Sequence, residues 1–367
     1  MSTTKTMILI GIGGAGVEVV RHVRQSFGGS LRHLLVDTDA NTATADEPFT
    51  LLGGGRLAGH GAGGDIVAAR MAAEESISQL DPQLEGVRLA VIATCLGGGT
   101  GGGCTLETIK HLASRGVPTL VFATTPFTFE GEDRQRNARG MMSMIEEAAN
   151  ATLFLPLDKL VSESGNMGDS LRLALDTLTA GITLFWRLVE TPGYIRLDVE
   201  RIRRLLRQAG RGRFATVTVN GQDRAREAVD RLSRAPLLAA GSGPVRAILC
   251  GVLGGDDLRL SELTALSEGL QASFGGERCA FDLATVNDEK TFSGRLAVVT
   301  ILFEVNGKAD DAVEGAKTAF GRKHRRPLQS NNATASRGRF SNADPTIWGG
   351  EDLDVPTFVR RGINLDF

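Results

Sequence analysis

Residues 93–108, Ala93-Thr-Cys-Leu-Gly97-Gly-Gly-Thr100-Gly-Gly-Gly103-Cys-Thr-Leu-Glu-Thr108, decide how this chain folds. An apolar run from Arg88 to Thr94 leads into the glycines, and a helix-period pattern from 101 to 115 leads out of them. That order places six glycines around Thr100 in a strand-to-helix turn. Without Cβ atoms the backbone of such a turn can approach a phosphate closely, and the helix behind it directs N–H groups and a positive dipole end the same way. The pattern G-x-x-x-x-G-K-[ST] does not occur. The loop is therefore not the lysine-bearing P-loop.

A second glycine loop, Gly11-Ile-Gly13-Gly14-Ala15-Gly16, follows the run Met7 to Ile12 and opens a helical pattern near 14–28. It fits G-x-G-x-x-G, and Asp37 stands 21 residues past Gly16 at the end of the next run, Leu31 to Val36, where a dinucleotide fold places its ribose-binding acid. A dinucleotide oxidoreductase, however, has no use for the loop at 97–103. Two cradles on adjacent strand ends suit a chain of phosphates gripped from both sides, with Thr100 adding a hydroxyl donor.

Further apolar runs at Pro118 to Ala123 and Thr152 to Pro156 alternate with helical patterns near 66–80, 132–149 and 170–190. The alternation predicts an α/β fold, a mostly parallel Rossmann-like sheet covered on both faces, over residues 1–169. A long central helix and turn follow at 170–193. After a helical stretch from Asp198 to Gln208, strand-like runs at 213–219, 245–253, 279–286 and 295–305 surround helices at 222–234 and 260–274, a second, smaller α/β or α+β domain over 194–319. Residues 320–349 lose periodicity and carry Arg322, Lys323, Arg325, Arg326, Arg337 and Arg339 against Asp344, the pattern of a disordered basic linker. Apolar residues return in 350–367, which reads as a terminal partner-binding peptide.

Composition narrows the class. The chain has 367 residues with 41 Lys and Arg against 43 Asp and Glu, so no global basic field exists to hold a nucleic acid. Four cysteines, Cys95, Cys104, Cys250 and Cys279, lie far apart without a C-x-x-C pair, and no metal site is expected from them. The amino terminus has too short an apolar run for a signal peptide, and no 18-residue apolar stretch follows. A cytoplasmic protein with no membrane span is expected.

The residues resemble the tubulin/FtsZ superfamily. GGGTGGG at 97–103 is similar to its phosphate-binding signature, and the resemblance continues through GIGGAG at 11–16, VDTDAN at 36–41, GAGGDIVAARMAAEE at 61–75, TTPFTFEGEDR at 124–134, TPGYIRLDVE at 191–200 and GQDRAREAVDRLSRAPLL at 221–238. DLDVPTFVRR at 352–361 looks like the terminal peptide by which FtsZ engages membrane tethers and division regulators.

The resemblance implies a GTP- and GDP-binding protein that polymerises head to tail, with any Mg²⁺ held mainly through phosphates and water. One subunit grips the nucleotide and the next supplies acids that position the attacking water. Gly13, Gly14, Ala15, Gly16, Gly99, Thr100, Gly101 and Gly102 then hold phosphates, Gly63 and Gly64 approach the terminal one, Glu130 and Arg134 serve ribose and nearby phosphates, and Asp176 reads guanine. Asp198 and Glu200 become the candidate catalytic acids. Asp352, Leu353, Val355, Pro356, Phe358, Val359 and Arg360 become partner-binding residues, which implies a place at the division site.

The pattern breaks in two regions. In the base pocket, Leu157 and Leu175 stand where the family carries asparagine, Leu171 replaces a stacking aromatic ring, and Glu18 replaces an asparagine after the first loop. In the catalytic loop, the family's second acid falls on Arg201 and its asparagine on Arg196. A guanidinium cannot orient water as a carboxylate does. Slow or absent hydrolysis therefore stands beside catalysis by Asp198 and Glu200. The dinucleotide oxidoreductase is the reading from another class, and it leaves the loop at 97–103 unexplained.

Overall fold

The computed structural model describes residues 6–27, 31–44, 47–160, 166–191, 193–207, 209–239, 243–276 and 279–304, with the backbone of 347–348 and 351–352. Ten strands, β1 (Met7–Ile12), β2 (His33–Asp37), β3 (Phe49–Leu51), β4 (Leu89–Cys95), β5 (Thr119–Thr125), β6 (Ala151–Pro156), β7 (Arg211–Asn220), β8 (Val245–Gly254), β9 (Ala280–Asn287) and β10 (Arg295–Glu304), form one sheet. Their order is β3-β2-β1-β4-β5-β6-β7-β10-β8-β9. The first six run parallel in the order of a doubly wound nucleotide-binding fold, as the α/β reading anticipates.

Both faces of this sheet are covered, which is why its strands read as continuous apolar runs. β1 shows the consequence of period-2 geometry: Met7 and Leu9 enter one core, while Ile8, Ile10 and Ile12 enter the other. On the first face lie the helices Gly13–Phe27 and Met167–Glu190, burying Val17, Val20 and Val23 with Leu178, Ile182 and Trp186. On the second lie Ile66–Ser76, Gly99–Ser114 and Glu132–Ala148, contributing Ala69, Ile109, Leu112, Met141 and Ile145.

The sheet continues without a break past the domain boundary expected near residue 194. β6 meets β7 in parallel through Thr152↔Arg211 and Leu153↔Gly212. β10 then lies antiparallel between β7 and β8, and β9 joins β8 in parallel. A third core forms where helices Arg224–Ser233 and Leu260–Phe274 cover β7, β10 and β8, with Ala228, Leu266, Val252 and Val298 inside it. The central helix packs against both halves, since its core also holds Leu249, Val286 and Val299.

The expected partner-binding residues Leu353, Val355, Pro356, Phe358, Val359 and Arg360 lie outside the described residues, as does most of the expected linker. The backbone of Asp352 is described: Ile347–Trp348 and Glu351–Asp352 pair antiparallel, with Ile347 opposite Asp352. Among the described residues, no helix is long and apolar enough to cross a membrane.

Candidate nucleotide-phosphate site

β1 and β4 are adjacent and parallel, with Ile12 beside Thr94, so both glycine loops emerge side by side at the carboxyl edge of the sheet. The order of strands reverses between them, and the helices that follow leave toward opposite faces. Such a switch point is where open α/β sheets bind ligands. Gly13 adopts φ +76°, and a Cβ added there would stand 3.3 Å from the Gly101 nitrogen, so the two loops nearly touch. At Gly101 a Cβ would lie 2.0 Å from the Cys95 carbonyl oxygen. Only glycine permits this approach of helix to strand.

The helix Gly99–Ser114 starts at Gly98 with no side-chain cap and no acid in its first turn. Side chains close other helices, with Asp65 capping Ile66–Ser76, Asn166 capping Met167–Glu190 and Asp198 capping Val199–Leu206. The helix at the crevice therefore keeps first-turn N–H groups and its positive dipole end for an anion. Thr100 behaves differently from a simple donor, because its hydroxyl lies 2.6 Å from that of Thr38. One hydroxyl donates to the other, which leaves the pair one proton to offer a phosphate. Gly102 also serves the packing of helices, since a Cβ there would meet Met141 Cγ at 2.7 Å and its bare Cα leaves room for that side chain.

Asp37 does not offer itself to a ribose. Its Oδ1 accepts from the Thr38 and Asp39 nitrogens at 2.7 and 3.4 Å, and its Oδ2 accepts from the Thr42 hydroxyl at 2.8 Å. Burial, the largest influence, pushes its pKa up. The carboxylate closes its own loop, which removes the support that Asp37 lent to the dinucleotide reading.

Beside the cradle lies a cavity of about 410 Å³, the size of a small-molecule site. Ala15 and Glu18 reach it from the first loop's helix, and Glu130 and Arg134 reach it from beyond β5. The central helix presents Leu171, Leu175 and Leu178, with Leu157 beside them, an apolar wall fit for the flat face of a base. Asp176, one residue beyond Leu175, is exposed and stands outside this lining. Glu18 holds Arg21 at 2.6 Å. Glu130 accepts from the Phe127 nitrogen at 2.9 Å and from Arg134 at 2.6 Å, so the pair expected on the ribose side is held together. Cys95 also lines the cavity, and burial pushes its thiol up to about 11.

Gly63 and Gly64 lie in the loop before the Asp65 cap. A Cβ at Gly99 would come within 2.7 Å of the Asp65 carbonyl oxygen, so this third loop packs directly on the second. Sequence reasoning missed the residue that joins them, Asn137. Its amide donates to the carbonyls of Gly64 and Gly97 at 3.0 and 3.3 Å. The signal was present, since Asn137 falls one helical turn past Arg134 on the same face.

Asp198 and Glu200 lie at the other end of the sheet. Glu200 pairs with Arg88 at 2.6 Å, and Arg203 donates to the Arg88 carbonyl at 3.1 Å. Arg88 immediately precedes β4, whose far end carries the glycine loop. Seven residues at about 3.3 Å each separate those ends by roughly 23 Å. Asp198 accepts from the Arg201 nitrogen at 2.7 Å, capping its helix. Arg201 Nε in turn donates to Asp282 of β9 at 2.6 Å, tying that helix to the sheet. A second cavity of about 420 Å³, lined by Arg201, Arg204, Arg246 and Asp282, lies here, remote from the cradle. Among the described residues, no group of three or more His, Cys, Asp or Glu is placed to hold a metal.

A doubly wound sheet with two glycine cradles at its switch point and a base-sized cavity beside them defines an α/β protein of the nucleotide-binding class. Residues 6–164 match the profile of the tubulin/FtsZ family GTPase domain. Among solved structures, a mutant FtsZ of M. jannaschii is 23% identical with TM-score 0.74, covering 82% of this chain and 91% of its own. The GTPγS-bound protofilament of CetZ2 from Haloferax volcanii is 21% identical with TM-score 0.68, covering 85% and 99%. The tail-truncated TubZ of Clostridium botulinum phage c-st is 14% identical with TM-score 0.59, covering 86% and 99%.

Proposed function

We propose that this chain is an FtsZ-like GTP-binding protein that polymerises head to tail into filaments for bacterial cell division. The observation that carries the reading is the separation within one chain of a complete phosphate cradle from the acids Asp198 and Glu200. A carboxylate roughly 20 Å from the cradle cannot orient water at its own nucleotide. It can do so at the nucleotide of a neighbour stacked on the same axis, a heterologous contact that generates a filament. Residues 1–169 then bind GTP, 170–193 form the central helix, and 194–319 carry the completing acids. In this reading the cradle's N–H groups hold the phosphates, Glu130 and Arg134 fix the ribose side, and the leucine wall takes the base. Glu18, which lines the cavity, and Asp176, one residue beyond Leu175 of the leucine wall, are the carboxylates assigned to accept from guanine donors. The peptide Asp352 to Arg360 recruits membrane-tethering and regulatory division proteins.

A second reading is favoured by Arg201. Its pairing with Asp282 occupies the position of the family's second acid, which points to a divergent paralogue with stable filaments and little turnover. Sedimentation with GTP, GDP or a slowly hydrolysed analogue, with released phosphate measured on the same samples, tests both. Pelleting with GTP and phosphate release that appears only with assembly support the first. Pelleting without release supports the second, and no nucleotide-dependent pelleting overturns both.

A further inference from the structure

The helix Glu132–Ala148 lies along the second glycine loop and touches it from end to end. A Cβ at Gly97 would approach Arg134 at 3.3 Å, Asn137 binds the Gly97 carbonyl, and Met141 fills the space beside Gly102. Residues 134, 137 and 141 fall on one face at helical spacing. Within that stripe Asn137 also hydrogen-bonds the third loop, at the Gly64 carbonyl.

The third loop needs such a tie. Gly63 and Gly64 adopt φ +56° and +88°, and a Cβ on either would meet nothing within 4 Å. Their conformation is thus set by the backbone and its tethers, not by side-chain packing. The loop's base is pinned by the Gly61 nitrogen on the Thr38 carbonyl at 3.1 Å and by the Asp65 nitrogen on the Ala62 carbonyl at 2.9 Å. Its tip is pinned by Asn137. Because a trans peptide directs its C=O and the following N–H in opposite senses, turning the Gly97 carbonyl toward Asn137 turns the Gly98 N–H away from it.

We propose that Asn137 is a positioning residue for the terminal phosphate. By donating to Gly64 and Gly97 together it fixes the spacing of the second and third loops, and that spacing sets the preference for a nucleoside triphosphate over the diphosphate. The proposal rests on the guanine-nucleotide reading above and adds a discriminating residue to it. Inner phosphates are held by the Gly13 and Gly99 helix starts, neither of which Asn137 bonds directly. The outer phosphate meets the third loop, which does.

The test uses the full chain and two probes, GTPγS and GDP, with affinities measured by equilibrium competition against a fluorescent guanine nucleotide. Asn137→Asp keeps the shape but sets a carboxylate against two carbonyl oxygens. GTPγS affinity should fall about tenfold, as for the loss of a half-buried hydrogen bond, while GDP affinity stays within about twofold. Asn137→Ala should move the same ratio in the same direction, and Asn137→Gln, which keeps the amide, should restore part of it. A merely structural role lowers both affinities together with the melting temperature. Equal loss for the two probes, or an unchanged ratio in both Asn137→Asp and Asn137→Ala, overturns the proposal. A wild-type chain that binds neither probe overturns the guanine reading instead, and is recognised before any variant is made.

Discussion

Gly101 and Gly63 both serve the candidate site, yet physics asks different things of them. At Gly101 the space for a Cβ is taken by the Cys95 carbonyl oxygen at 2.0 Å, backbone against backbone, so neither side can yield without moving helix from strand. At Gly63 the space is open and only φ +56° disfavours a side chain. Gly101→Ala should therefore cost about 1–3 kcal/mol of stability through overpacking, and weaken nucleotide binding with it. Gly63→Ala should cost about 1 kcal/mol, the ordinary penalty of a left-handed alanine, and leave the core untouched. Urea unfolding of the two variants checks the order, and equal midpoints would contradict it. The glycines were legible in the sequence as a class, but their division was not. Gly102 illustrates the reason: its neighbour is Met141, and a partner in the next helix leaves no mark in local spacing. Asp37 fails in the same way, since a motif supplies a carboxylate at the right distance and says nothing of the hydroxyl and N–H groups that claim it.

Among the elements, the helix Val199–Leu206 shows how a substitution that looks catalytic also becomes structural. Asp198 caps it, Ile202 and Leu206 bury one face, and Arg201 ties it to Asp282, with both charged side chains mostly buried. Arg201→Asp, which introduces the acid expected there from the tubulin/FtsZ resemblance, faces that carboxylate toward Asp282. The single variant should lose stability through like-charge repulsion at close range, and Arg201→Asp with Asp282→Asn should recover it, a coupling of about 1 kcal/mol or more in a double-mutant cycle. Additive losses would show that the pair is incidental. Phosphate release measured on both variants then separates a helix that has come loose from an acid that has been supplied. Most elements were legible because their periods are long: the central helix, the ten-residue strands and the helices on both faces appear where periodicity predicts them. β3, Phe49–Leu51, was not, because three residues carry too little alternation to register. The Arg201 to Asp282 tie crosses 81 positions and was equally hidden.

At the scale of the whole molecule, the polarity of the sheet governs function. Parallel strands put both cradles on one edge, and beyond the central helix Glu200 pairs with Arg88 at the opposite edge, with Asp198 two residues before it. The motif residues were readable one by one, whereas their separation was expected only from the resemblance, because it follows from strand direction and from the path of a 24-residue helix. If hydrolysis is assembled from one subunit's cradle and the next subunit's acids, two differently damaged chains must complement each other. Gly13→Val keeps the acids and blocks the cradle, since a β-branched residue does not adopt φ +76°. Asp198→Ala keeps the cradle and removes a candidate acid. Each alone should release little phosphate. Mixed in equal amounts and co-assembled, they should form sound sites at roughly one interface in four, where an intact cradle meets an intact acid across a head-to-tail contact. Phosphate release from the mixture, measured against the sum of the separate samples, reads this directly. A clear excess over that sum is the expected outcome. Release no greater than the sum, from filaments shown by co-sedimentation to contain both variants, would mean that the acids of one chain do not serve the cradle of another, and the head-to-tail sharing of the site would be wrong.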